Sequence, residues 1–228
     1  MNLSPTCEAR LGEAWPLLAR LGQLAASRGE RVALVGGIPR DLLLDTESSG
    51  DFDLVVEGDA IGLAEAWCSQ EGGQLLRHRP FNNAAWKTDD LALDLIQART
   101  EEYPAVAALP EVEPATIEQD LGRRDFRLNA MAITLNPDQL GELLDPHQGL
   151  QDLHSRQLQV FHEKSFCDDP TRILRAVRYA TRLDLEIGDT CLMALDQAMM
   201  SEALSLLSIE RYGAELHRLL SEKDAARC

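Results

Sequence analysis

The 228-residue sequence contains no uninterrupted apolar run of about 18 residues, which excludes a membrane-spanning helix. Residues 1 to 10 lack the basic-then-apolar pattern of a secretory signal, so we expect a cytoplasmic protein with no membrane partner. The five cysteines are scattered and form no C-x-x-C pair, which favours reduced thiols over disulfides or a zinc site. These absences leave a globular protein of one large or two small domains.

Basic residues are few, since 22 Lys and Arg against 38 Asp and Glu give a formal net charge of −16. Proteins that bind nucleic acid usually carry the opposite sign. Two interpretations fit this balance: a small-molecule partner held by metal ions, or basic residues gathered on one face of an otherwise acidic molecule. The clustering of arginines along the sequence favours the second interpretation.

Hydrophobic periodicity divides the chain into two parts. Residues 8 to 28 carry apolar residues at helical spacing, and short strand patterns follow at residues 31–35, 51–56 and 91–97. Residues 100 to 115 contain three prolines and are predicted to form a loop. From Asp169 onward the pattern predicts helices only. We therefore expect an α/β (α+β) head over residues 1–150 and an all-helical neck over residues 151–228.

Two carboxylates, separated by one apolar residue, lie on the strand predicted to begin at Asp51. Because successive side chains of a strand point to opposite faces, Asp51 and Asp53 share one face, about 7 Å apart. Mg²⁺ prefers a few carboxylate oxygens with water and substrate phosphate, so this pair suits nucleotidyl transfer. Asp94, on another predicted strand, could supply a third carboxylate. A solvated strand end is the alternative for a lone D-x-D, and an ordinary exposed polar residue is the alternative for Asp94.

A glycine pair, Gly36 and Gly37, precedes these carboxylates directly after a predicted strand. Glycine lets the backbone approach a ligand closely, and a helix beginning at Pro39 would direct free N–H groups at an anion. Arg40 follows in the first turn. A tight turn with nothing bound is the alternative, but it does not explain why D-x-D follows at once. Together these residues predict a site for a triphosphate and its metal ions.

Two further segments concentrate arginine. In the first, Arg124 suits bidentate phosphate contacts, whereas Asp125 and Asn129 suit ribose hydroxyls; a surface salt-bridge cluster is the alternative. The second begins a predicted helix, with Asp169 as N-cap and Pro170 at the first position. A basic stripe on this helix suits phosphate or an RNA backbone, and a solvated helix face is the alternative. The stripe consists of Arg172, Arg175, Arg178 and Arg182.

At these residues the sequence resembles the class II tRNA nucleotidyltransferase and bacterial poly(A) polymerase family of the DNA polymerase β superfamily. Five motifs occur in the family's order: L-V-G-G-x-x-R-D (Leu34–Asp41), D-x-D (Asp51–Asp53), R-R-D-F-x-x-N-A-M-A (Arg123–Ala132), D-D-P-x-R-I-L-R-A-x-R (Asp168–Arg178) and E-R-x-x-x-E (Glu210–Glu215). The resemblance implies a nucleotidyltransferase head with a mixed β-sheet and a helical neck. Body and tail domains are absent from the sequence, so we expect a short or truncated form with weak RNA affinity.

The resemblance also implies roles for individual residues. Asp51 and Asp53 would bind two catalytic Mg²⁺ ions. The other implied contacts are with CTP or ATP: Gly36, Gly37 and Arg40 at the triphosphate, Arg124 and Asp125 at the ribose with Asn129 nearby, Asp169 and Arg172 at the base, and Arg175 and Arg178 near phosphate.

The implied activity is template-independent addition of C and/or A to the 3′ end of tRNA, with release of pyrophosphate. The motifs do not separate CCA-, CC- and A-adding members, and the oligomeric state stays open. Poly(A) polymerase activity on other RNAs and a nucleotide- or RNA-binding module without activity are the alternatives.

Three departures from the family pattern are visible: Asp168 where Glu is frequent, Arg127 in place of Thr, and F-N-N-A at residues 81–84 in place of F-G-T-A.

Overall fold

A computed structural model describes residues 1–46 and 51–227 and divides the chain into two compact units. The first unit comprises Met1–Thr100, Glu113–Arg123 and Asn129–Pro146. The second comprises Glu101–Val112, Arg124–Leu128 and His147–Cys228. The units therefore alternate along the sequence, and the domain boundary that we place after residue 150 stays a prediction.

Eleven short strands occur among the described residues: β1 (Arg31–Leu34), β2 (Asp51–Glu57), β3 (Gln74–His78), β4 (Asn83–Lys87), β5 (Ala92–Gln97), β6 (Arg99–Glu102), β7 (Glu111–Pro114), β8 (Ala132–Thr134), β9 (Leu143–Leu144), β10 (Gln157–Leu158) and β11 (Glu186–Ile187). Seven form one sheet in the order β3-β4-β5-β2-β1-β8-β9. Only the β2–β5 pair in this sheet is parallel among the described residues, so the sheet is mixed, as predicted.

The helices vary in length from one turn to nearly four. The α-helices are α1 (Ser4–Leu11), α2 (Ala14–Ser27), α3 (Gly37–Leu43), α4 (Ala60–Glu71), α5 (Ile117–Leu121), α6 (Gly149–Ser155), α7 (Ser165–Asp168), α8 (Thr171–Leu183), α9 (Asp189–Met200) and α10 (Ile209–Leu220). Short 3-10 turns lie at Arg79–Phe81, Arg127–Asn129, Ala203–Leu206 and Ala225–Arg227. Within the described ranges, no helix is long and apolar enough to cross a membrane.

The core of the first unit lies between the large sheet and its covering helices. On β2, Phe52 and Leu54 are buried, whereas Asp51 and Asp53 are exposed. This alternation follows from the two-residue period of a strand. Each large apolar side chain buried in this way stabilises the fold by about 1.5–3 kcal/mol. The strand therefore anchors itself with one face and presents its carboxylates on the other.

The structure corrects three sequence predictions. The helix predicted over residues 8–28 is two helices, because Gly12 ends α1 with φ at +53°. Residues 100–115 are not only loop, since β6 and β7 pair there as a two-stranded sheet. The region after Asp169 is not all helix, since β11 pairs in parallel with β10. Strands of two to four residues are too short to show a periodic sequence pattern.

Candidate active site

Three carboxylates gather on the exposed face of β2 and β5. In the parallel register of these strands, Asp53 lies directly beside Asp94, and Asp51 lies two pairs earlier, beside Ala92. Paired residues on neighbouring strands point to the same face, about 5 Å apart. Partial burial raises the pKa of Asp94, and the charge of Asp51 raises it further. The two predicted metal-binding aspartates and the predicted third carboxylate are thus brought together.

This donor set suits Mg²⁺ only as a partial coordination shell. Within residues 1–46 and 51–227, no group of three or more His, Cys, Asp or Glu side chains is arranged so that it could hold a metal ion by itself. Mg²⁺ ordinarily takes one or two protein carboxylates and completes its shell with water and substrate phosphate. The repulsion between Asp51 and Asp94 would also be relieved by a cation. The residues present therefore fit a metal that arrives with a phosphate ligand.

The glycine turn lies directly against one of these carboxylates. Gly36 has φ at +78°, and a Cβ added to it would lie 2.7 Å from Oδ2 of Asp53. The backbone N–H of Val35 donates to the carbonyl oxygen of Asp53 at 2.9 Å. Helix α3 begins at Gly37, so Pro39 is its third residue. The sequence predicts Pro39 at the first helical position, and this prediction is wrong. Proline is tolerated at the third position because the N–H groups of the first turn have no helical partner.

Arg40 is a buried anchor of this turn. Its side chain is 3% exposed and ion-pairs with Asp41 at 2.7 Å. Its Nη1 donates to Oδ1 of Asn129 at 2.5 Å. Both Arg40 and Asn129 were predicted to contact the nucleotide, which stays a prediction. Their mutual hydrogen bond gives each of them a structural task, which is to hold α3 in place beside the carboxylates.

In the second unit, Asp125 and Arg175 form a close ion pair. Nε of Arg175 donates to Oδ2 of Asp125 at 2.9 Å, and the backbone N–H of Phe126 donates to Oδ1 at 2.8 Å. Burial lowers the pKa of the Arg175 guanidinium, but Asp125, Tyr179 and Glu215 together outweigh burial, so the pKa is raised. The predicted ribose-binding carboxylate is thus oriented by one of the predicted phosphate-binding arginines.

Most arginines of the α8 stripe contact acidic or aromatic side chains within this unit. Arg178 lies 3.6 Å from Glu215 and 3.5 Å from Glu222, and Arg182 lies 3.8 Å from Glu222. The guanidinium carbons of Arg175, Arg178 and Arg182 also lie 4.9–5.6 Å from the centroid of the Tyr179 ring. Cation–π contacts of this kind contribute about 0.5–2 kcal/mol each. The stripe therefore joins α8 to α10, and its contact with phosphate stays a prediction.

Asp169 and Arg172 lie one turn apart at the start of α8. The carboxylate of Asp169 accepts a hydrogen bond from the backbone N–H of Thr171 at 3.0 Å, as a helix-capping residue does. Helix α8 begins at Thr171, one residue later than predicted, although Pro170 already has helical dihedral angles. Arg172 is buried, and its Nη1 lies 3.5 Å from the carbonyl oxygen of Ser165. Burial raises the pKa of the adjacent Asp168 despite nearby positive charges.

Sequence reasoning recognised the E-R-x-x-x-E motif but missed the partners of its residues. Arg211 donates to Asp169 at 2.8 Å, and Glu215, which is 5% exposed, pairs with Arg175, Arg178 and Arg218. The four-residue spacing places Arg211 and Glu215 on one face of α10. That spacing was the available signal, but it does not reveal which residues of α8 this face contacts.

Arg127, a departure from the family pattern, has a clear partner. Its guanidinium donates two parallel hydrogen bonds, at 2.8 Å and 2.7 Å, to the buried carboxylate of Asp152 on α6. Arginine matches a carboxylate in this two-point geometry, whereas threonine is too short.

Comparison with known proteins identifies the class to which this fold and these motifs belong. Residues 32–159 match the family described as Poly A polymerase head domain. The chain therefore belongs to this family, which confirms the resemblance to class II tRNA nucleotidyltransferases and bacterial poly(A) polymerases.

Individual relatives are similar over most of this chain. The A-adding tRNA nucleotidyltransferase of Halalkalibacterium halodurans is 41% identical over 91% of this chain and 49% of its own length. The CC-adding tRNA nucleotidyltransferase of Deinococcus radiodurans is 40% identical over 84% of this chain and 50% of its own length. The chain thus spans about half the length of these relatives.

Solved structures agree with this grouping. A CCA-adding enzyme in an apo form matches 100% of this chain and 54% of its own, with a TM-score of 0.94 and 37% identity. The Thermotoga maritima CCA-adding enzyme complexed with tRNA matches 100% of this chain and 52% of its own, with a TM-score of 0.87 and 35% identity. The predicted nucleotidyltransferase head is confirmed.

Proposed function

We propose that this chain catalyses template-independent addition of C and/or A to the 3′ end of tRNA, using CTP and/or ATP and releasing pyrophosphate. One observation carries the proposal: the backbone of Gly36 lies against Asp53, which is aligned with Asp94 in the β2–β5 register. Supporting it, the similar relatives are A-adding and CC-adding tRNA nucleotidyltransferases. The cytoplasmic location expected from the sequence is part of this proposal.

The first unit would bind the reacting part of the nucleotide. Asp51 and Asp53 would hold Mg²⁺, with Asp94 as a third carboxylate beside them. When bound, Mg²⁺ would neutralise charge on the triphosphate and polarise its α-phosphate. The 3′ hydroxyl of the RNA then attacks the α-phosphate, a new phosphodiester bond forms, and the bond to pyrophosphate breaks. Gly36 and Gly37 would allow the backbone close to the triphosphate, and Arg40 would fix their position.

The second unit would select the nucleotide. Cytosine and adenine both carry an exocyclic amino donor next to a ring nitrogen acceptor, whereas uracil and guanine present a carbonyl oxygen there. The carboxylate of Asp169 suits the amino group, and the guanidinium of Arg172 suits the ring nitrogen. Arg124 and Asp125 would contact the ribose, with Arg175 and Arg178 toward phosphate. The similar identities to A-adding and CC-adding relatives, 41% and 40%, leave the choice between C and A open.

A primer-extension assay tests this proposal. The chain is incubated with Mg²⁺, labelled CTP or ATP, and three tRNA primers that lack all, only the last, or none of the CCA nucleotides. We expect extension of at least one incomplete primer by one to three nucleotides and no extension of the complete tRNA. Absence of extension with every primer, in a chain that still binds nucleotide, would exclude the proposed activity and leave a nucleotide-binding core.

Polyadenylation is the second candidate, because the matched family is described by its Poly A polymerase head domain. The same assay separates the two candidates by product length. A long ladder of added A on an RNA without tRNA structure would favour polyadenylation, whereas a stop after one to three nucleotides on tRNA favours the first proposal.

A further inference from the structure

The two carboxylate oxygens of Asp169 have different surroundings. Oδ1 accepts three hydrogen bonds: from the backbone N–H of Thr171 at 3.0 Å, from its hydroxyl at 2.6 Å, and from Nη2 of Arg211 at 2.8 Å. Oδ2 accepts no hydrogen bond from the residues that the structure describes. The side chain is 23% exposed, and Oδ2 is not among the buried unpaired atoms of the described part. The carboxylate of Asp169 is thus fixed through Oδ1, and Oδ2 is available to accept a hydrogen bond.

Arg211 is itself fixed at both ends. Its backbone N–H is capped by the hydroxyl of Ser208 at 3.4 Å at the start of α10. Its Nη1 donates to the carbonyl oxygen of Ala107 at 3.3 Å, while Nη2 reaches Asp169. The guanidinium is planar and rigid, so anchoring one nitrogen also directs the other. The orientation of the Asp169 carboxylate is therefore imposed from α10 as well as from its own helix.

We propose that Arg211 is a positioning residue for nucleobase selection. By saturating Oδ1 together with Thr171, it presents Oδ2 as the single acceptor for an incoming base. An acceptor in a fixed orientation attracts the amino groups of cytosine and adenine and repels the carbonyl oxygens of uracil and guanine. This inference rests on the proposed function, because it assumes that Asp169 reads the base.

Nucleotide binding by the whole 228-residue chain tests the inference without requiring RNA. Dissociation constants of CTP, ATP, UTP and GTP are measured for the wild type, R211A and R211K, with circular dichroism as a check on folding. In R211A we expect the preference for amino-bearing over carbonyl-bearing bases to fall roughly tenfold, because a charge-assisted hydrogen bond that fixes the acceptor is lost. R211K should retain most of the preference, since the ammonium group can still donate to Oδ1.

The matched control is R218A, which removes an arginine from the same helix. Arg218 pairs with Glu215, and its side chain is 56% exposed. We expect R218A to leave the base preference unchanged. Equal weakening of all four nucleotides in R211A, or equal loss of preference in R211A and R218A, would show that Arg211 only stabilises α10 and would overturn the inference. If R211A does not fold, R211Q, which keeps amide donors without the charge, replaces it.

The wild-type measurement separates this inference from the proposed function. If the wild type binds all four nucleotides equally, Asp169 does not read the base. The base-selecting part of the proposed function and the role of Arg211 are then both wrong. If the wild type prefers CTP or ATP and R211A preserves that preference, only the role of Arg211 is wrong.

Discussion

At the scale of single residues, the strongest constraint is the approach of Gly36 to Asp53. The sequence predicts that this glycine permits close backbone approach to a ligand, and in the structure it lies against the carboxylate of Asp53. Its φ of +78° is a left-handed conformation, and a Cβ there would meet Oδ2 of Asp53 at 2.7 Å. A side chain at this position would therefore have to displace the carboxylate.

Replacement of Gly36 by alanine should impair catalysis far more than folding. We expect nucleotide incorporation to fall roughly a hundredfold, because misplacing a reacting group by about 1 Å can cost that much. Gly12→Ala is the matched control, since Gly12 also has a positive φ, at +53°, but a Cβ there meets nothing within 4 Å. Both variants should lose about 1 kcal/mol of unfolding free energy from backbone strain. Equal incorporation by the two variants would contradict the account.

Asp168 links stability to pH. Its pKa is raised by burial, which outweighs the attraction of His162 and Arg172. The native state therefore binds this proton more tightly than the unfolded chain, so the contribution of Asp168 to stability falls as pH rises from the unfolded pKa through the native one. We expect Asp168→Asn to increase the unfolding free energy at pH 7 relative to wild type and to change it less near pH 4. Denaturant unfolding at both pH values measures this, and a variant that is less stable at pH 7 would contradict it.

At the scale of elements, the pairing of α8 with α10 decides how the second unit is held together. The sequence predicted α8 with its arginine stripe and a helical region after it, because the three-to-four-residue period and the capping residues are local signals. It did not predict that Glu215 lies among those arginines, since the partners are about forty residues apart and only tertiary packing joins them. The strands β10 and β11 escaped prediction because two residues are too few to show a periodic sequence pattern.

Removal of Glu215 should destabilise this helix pair. Glu215 is 5% exposed and contacts Arg175 and Arg178, so Glu215→Ala leaves two poorly solvated cations without one partner. We expect a loss of about 3 kcal/mol in unfolding free energy, the usual consequence of breaking a buried ion pair. Glu210→Ala, at an exposed site in the first turn of the same helix, should cost less than about 1 kcal/mol. Thermal unfolding followed by circular dichroism compares them, and equal losses would contradict the structural role of Glu215.

At the scale of the whole molecule, charge and motif lead to different expectations. The net charge of −16 disfavours nucleic-acid binding, and arginines that the sequence suggested for RNA are paired with acids inside the second unit. The family and the carboxylates of β2 could be predicted, since D-x-D and the preceding glycines are contiguous patterns. The alternation of the two units along the sequence could not be predicted. Short segments such as residues 124–128 contain no sequence pattern that indicates which unit they belong to.

The most direct test of the central claim is a four-nucleotide competition on tRNA. The chain is given a tRNA primer that lacks its CCA end and equimolar CTP, ATP, UTP and GTP with Mg²⁺, and the added nucleotides are sequenced. Asp53→Asn, which removes a predicted metal ligand, is the inactive control, and primers lacking only the final A are run in parallel. We expect that only C and A are added, that at most three nucleotides appear, and that Asp53→Asn adds none. Incorporation of U or G at comparable frequency, or undiminished addition by Asp53→Asn, would contradict it.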